Sequence, residues 1–292
     1  MLGTLGNTFK LLHISWQILK SDRELILLPL MSGAALFFVF LYTTAAFWAG
    51  GTLDRIGPDY APRVADVVFL GLAYFMASFV IIYFNAVLVG SAYQRFEGFG
   101  ADLRSGFNAA NDRLGAIFGW SAIAATVALV LDQLSDTRSL LGKMMGFALR
   151  LLWGYATFFV VPVLIIEGAS PMDALGRSTE LFRQQWGKAM VANFGFGIGY
   201  VLVAIVALAP AAALYFGLGV LIPAVLVAAI LLLFGFAMVK ALEVIFTVAL
   251  YDFAATGRIS PEYSDQMIRG AYVDKSDKGR WRNQPMVNRA GW

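Results

Sequence analysis

From Ala189 to Val239 the chain runs for 51 residues without a charge, broken only by prolines and glycines. As one helix this stretch would be a rod of about 77 Å, more than twice the ~30 Å hydrocarbon thickness of a bilayer. It therefore has to fold back once, as two spanning helices. Tyr215-Phe216-Gly217-Leu218-Gly219 is the expected reversal, because glycine tolerates the left-handed backbone of a tight turn, and Pro223 suits the first turn of the next helix.

The rest of the chain agrees. Hydrophobic residues make up 59% and charged residues only 14%, against about 25% charged in soluble domains. Further apolar runs predict six spans, at about 25–50, 66–94, 114–134, 144–166, 189–215 and 220–252. The first is too long for a signal peptide and has no small-residue cleavage site before it, so the N-terminus is expected to be retained. There is no cysteine, which excludes disulfides and thiolate metal sites.

An even number of spans places both termini on one side. That side collects sixteen Lys and Arg residues against four on the other (Arg55, Arg63, Arg138 and Lys143), or nine against four without the tail. Both ends are thus expected in the cytoplasm. The net charge of +3 reflects basic loops facing anionic lipid and calls for no nucleic acid.

Each pair of spans is preceded by an amphipathic segment. Leu5, Phe9, Leu12 and Trp16 mark the first, at 4–20; Leu103, Phe107 and Ala110 the second, at about 101–113; Met172, Leu175, Phe182 and Trp186 the third, at about 171–187. Spacing by three and four residues makes one apolar stripe per helix, so these read as interfacial elbows. Glu97-Gly98 and Glu167-Gly168 close the second and fourth spans just before an elbow. The expected fold is all-α: a six-span membrane domain over 1–257, built as three elbow-plus-hairpin units, and a largely disordered cytoplasmic tail over 258–292. Parallel repeats of this kind occur in transporters, although any polytopic protein also needs elbows to steer its loops.

The run Val161-Pro162-Val163-Leu164-Ile165-Ile166-Glu167-Gly168, followed by Asp173-Ala174-Leu175-Gly176-Arg177-Ser178 and Leu181-Phe182-Arg183 to Trp186, resembles an uncharacterised family of bacterial six-span membrane proteins. Asp22-Arg23-Glu24-Leu25 with Pro29, and Ala249-Leu250-Tyr251 with Ala254-Ala255-Thr256-Gly257, also resemble its pattern. The Pro-to-Trp segment is loosely similar to the membrane domain attached to some bacterial glycerophosphodiester phosphodiesterases. That enzymatic activity is not expected here, because no soluble catalytic domain accompanies the spans. The resemblance implies a bacterial inner-membrane protein and assigns no chemistry.

Catalytic patterns are scarce. His13 is the one histidine, so zinc-hydrolase and Cys–His constellations are impossible, and neither a phosphate-cradling loop nor a GxSxG elbow occurs. No catalytic residue, metal or cofactor is expected. The informative residues are polar ones inside spans. Counting back from Asp252 puts Lys240 near the middle of the bilayer, where an unpaired cation costs ~2.5–3.5 kcal/mol, so it should pair with Glu243 at i+3. Thr247 continues that face, and Asn85 and Asn193 lie in the same half of their own spans. Either these five line a polar, cytoplasm-facing cavity, or they are a structural ion pair and amides that hold the bundle together. Arg150 is expected to reach the outer interface by extending its side chain.

The leading functional expectation is a non-enzymatic, permease-like protein for a small or amphiphilic solute. The alternative is a membrane scaffold or envelope-assembly partner. Membrane lipids and another copy of the chain or a second membrane protein are the expected partners.

Overall fold

The computed structural model describes residues 22–55, 63–98, 102–135, 139–186 and 196–257. A 3₁₀ turn, Arg23–Ile26, leads into α1 (Leu27–Ala49). Then follow α2 (Val64–Phe96), α3 (Leu103–Asn111), α4 (Leu114–Ser135) and α5 (Leu140–Ala156). The path of α5 is continued by one turn at Val160–Pro162 and a π-helical turn at Val163–Glu167. The last three helices are α6 (Pro171–Trp186), α7 (Phe196–Leu218) and α8 (Leu221–Thr256). Six helical stretches are long and apolar enough to cross a membrane: Glu24–Ala49, Val64–Phe96, Leu114–Leu134, Leu141–Glu167, Gly199–Gly217 and Leu221–Thr256. The protein is an all-α, multi-pass membrane bundle. The first elbow with Trp16, residue Asn193 and the tail lie outside the described residues.

Packing is concentrated at one end. Residues 86–89 of α2, Phe159–Val161 and Val163–Leu164 beyond α5, and Ala241–Leu242, Val244–Ile245 and Val248–Tyr251 of α8 join Leu25 and Leu28 in one buried core. Towards the other end Phe38, Val64, Phe147 and Phe216 are exposed. Large apolar side chains turned outward are what a spanning helix presents to lipid. At 33 and 36 residues, α2 and α8 are about 50 and 54 Å long, so each extends past a ~30 Å hydrocarbon slab.

The turn between α7 and α8 forms where the sequence places it. Gly219 adopts φ +67° and donates its N–H to the Tyr215 carbonyl at 2.9 Å, and Pro223 falls in the first turn of α8. Such a φ strains any residue with a Cβ.

The two described elbows are firmly anchored. Asp102 caps α3 by accepting the Arg104 N–H at 3.0 Å, and Ser170 accepts the Asp173 N–H at the start of α6 at 3.4 Å. These contacts satisfy amides that a helix start leaves unpaired. α3 then folds back along α2: Phe107 packs on the Tyr83 and Phe84 rings, and the Tyr83 hydroxyl donates to Asn111 Oδ1 at 2.8 Å. One face of this elbow is therefore spent on protein. Arg113, just after it, donates to the Gly168 carbonyl at 3.3 Å and so ties the second unit to the third.

The break after α5 has a local cause. The ring of Pro162 cannot coexist with a helical carbonyl four residues earlier, at Phe158, and Pro162 has no N–H to give. The helix opens at Thr157–Phe159, and the freed Phe159 amide donates to the buried Ser178 hydroxyl of α6 at 3.0 Å.

Candidate functional site

A cavity of about 400 Å³ opens between α1, α2, α7 and α8, within the size range of small-molecule sites. Leu36 of α1, Ile81 of α2, and Leu233 and Phe236 of α8 make its walls apolar. Ser32, Asn85, Tyr200 and Lys240 supply the polar groups. Each is carried by a regular helix, which fixes its position better than a loop would.

Lys240 Nζ stands 3.4 Å from Glu243 Oε2, one turn further along α8. Glu243 Oε2 also accepts the Tyr200 hydroxyl at 2.9 Å. Of this trio, Tyr200 and Lys240 line the cavity while Glu243 stands off the wall. Lys240 has three N–H donors, and one partner leaves the others available to a ligand. Asn85 lines the same cavity, and its Oδ1 is buried with no hydrogen-bond partner among the described residues. Unused hydrogen-bonding capacity of that kind costs stability unless something else meets it.

Thr247 turns its hydroxyl to the Glu243 carbonyl at 2.8 Å and does not line the cavity; a threonine inside a helix has that i−4 acceptor always within reach. Lys240 stands near the middle of α8, about 29 Å along the helix from Leu221 and about 24 Å from Thr256.

The elbow residues serve elsewhere. Glu167 Oε1 accepts the Tyr251 hydroxyl at 2.8 Å and the Arg177 Nε at 3.3 Å, joining the last helix to α6. Burial alone would lower the Arg177 pKa, but hydrogen bonds and charges from Glu167 and Glu180 outweigh it and raise it above the ordinary value. Phe107 packs α3 on α2, Glu97 forms the C-terminal cap of α2, and Trp186 ends α6.

Sequence reasoning missed Tyr200 and Asp132. Tyr200 was legible only as a phenol inside an apolar run, a group that needs a partner in lipid. Asp132 explains Arg150: Arg150 Nη2 meets Asp132 Oδ1 at 2.5 Å, and the Tyr74 hydroxyl donates to Asp132 Oδ2 at 3.1 Å. Arg150 thus engages a carboxylate on the neighbouring span instead of simply extending outward.

Among the described residues no group of three or more His, Cys, Asp or Glu could hold a metal ion. No curated protein and no solved structure matches the chain. A family model does match, over residues 64–261, from the start of α2 to just beyond α8: the family of unknown function DUF6159.

Proposed function

Since the chain belongs to DUF6159, a family of unknown function, we propose a role from the site itself: a non-enzymatic, permease-like membrane protein that binds a small or amphiphilic solute and moves it. The observation that carries this reading is the cavity between α1, α2, α7 and α8, where one cationic side chain and the neutral polar groups of Ser32, Asn85 and Tyr200 interrupt a mainly apolar wall. A bundle held together only by an ion pair has no need of such a space. Pro210 inside α7 and the Pro162 break beside α6 give two helices points at which they can bend. The excess of Lys and Arg in the loops on the side of both termini supports an orientation with both ends in the cytoplasm; a bacterial inner membrane is the location that completes this reading. Nucleic acid has no part in this reading, and a scaffold is the alternative.

The absence of native cysteine makes the test clean. Ser32→Cys and Ala237→Cys place single thiols on the cavity wall, to be modified with membrane-impermeant reagents in oriented vesicles. A permease exposes the thiols to each face in turn, so both orientations of vesicle should label. Labelling from one face alone under every condition would overturn the proposal. So would unchanged growth and transport in Lys240→Gln, Glu243→Gln and the double variant.

A further inference from the structure

The cavity pairs one cation with a long apolar wall. Leu233 lies about 10 Å from Lys240 along α8, towards the α7–α8 turn, and Leu36 about 10 Å beyond Pro29 along α1. A lipid has the same two parts, a polar head and an apolar chain. The cavity is also open at the side: Ile81, Leu233 and Phe236 line it and yet are 46%, 48% and 39% exposed. That exposure lies on the surface the spans turn to hydrocarbon.

Charge selects the head. Lys240 is on the wall, whereas Glu243 is set back and held by Tyr200, so an occupant meets positive charge first. Resting on the reading of this cavity as a binding site, we propose that its ligand is a long-chain membrane amphiphile with an anionic head, entering sideways from the bilayer. The head accepts hydrogen bonds from Lys240, and the chain lies against Leu36, Leu233 and Phe236.

The test uses the full chain in nanodiscs and three diazirine-bearing probes of equal chain length: palmitic acid, lysophosphatidic acid and lysophosphatidylcholine. At least one acidic probe should crosslink to the α1 or α8 peptides about tenfold more than the choline probe, as a charge-assisted hydrogen bond implies. Labelling should fall by a similar factor in Lys240→Gln and survive in Lys240→Arg. Gly33→Leu, which puts a side chain into the cavity wall, should abolish it without touching the ion pair.

Equal labelling by all three probes, or labelling indifferent to Lys240→Gln and Gly33→Leu, would show annular lipid only and overturn the proposal. If neither acidic probe labels while the cavity thiols still react from both faces, the anionic-lipid assignment falls and the permease reading stands. Selective labelling with thiols reactive from one face leaves a lipid-binding site and removes the permease.

Discussion

Gly106 of α3 rests against Ser91 of α2 with no room between them. A methyl group at Gly106 would stand 2.5 Å from the Val87 carbonyl oxygen and closer still to the Ser91 hydroxyl. The second elbow is therefore seated on the backbone of α2, at the level of the buried core. In an exposed helix Gly→Ala gains about 0.8–1.0 kcal/mol. Here the backbone of α2 cannot give way, so overpacking wins, and Gly106→Ala should destabilise the protein by about 1–3 kcal/mol. Unfolding of the detergent-solubilised protein by SDS reads this directly; a more stable Gly106→Ala would contradict the packing.

Ser178 is the partner that makes the Pro162 break tolerable. Ser178→Ala removes the hydroxyl to which the buried Phe159 amide donates, a loss of about 1–3 kcal/mol. Restoring a regular helix with Pro162→Ala should reduce that loss, because the amide then regains a carbonyl four residues earlier. A double-mutant cycle between the two positions measures the coupling, and strict additivity would separate the break from the hydroxyl.

Asp132 and Arg150 should behave as a pair. Asp132→Leu removes the carboxylate that Arg150 meets, and Arg150→Leu the guanidinium that Asp132 meets, on spans that face lipid, each at a cost of about 1–3 kcal/mol. The double Leu variant removes both charges and should be more stable than either single variant. Their half-exposed side chains place the expected values at the lower end of that range. If the double variant is no better than the worse single one, the ion pair is not what holds these residues.

Topology follows from the spans and the basic residues. Reporters inserted after Gly98 and after Gly219, which close α2 and α7, should report opposite sides of the membrane, with Gly98 in the cytoplasm. A phosphatase and a fluorescent fusion at each position provide the measurement. The same compartment for both would reject the six-span arrangement.

The elbows show how far local pattern reaches. The three- and four-residue spacing of apolar side chains marks α3 and α6 as amphipathic and shows which face is greasy, because amphipathicity involves neighbours in the chain. That Phe107 meets Tyr83 and Phe84, or that Arg113 reaches Gly168, depends on how helices far apart in sequence come to lie together, and one sequence holds no record of that.

The candidate site divides in the same way. Lys240 and Glu243 are one turn apart, so their pairing could be read from spacing. Tyr200 lies 43 residues before Glu243 and Asn85 on another hairpin, and only packing brings them beside Lys240. Sequence alone determined that the chain is all-α with six helical stretches apolar and long enough to cross a membrane, since that property depends on the transfer energies and backbone geometry of contiguous residues. The cavity, and the meeting of Tyr200, Asn85 and Lys240 on its wall, were decided only by tertiary structure, because a space between helices belongs to none of them singly.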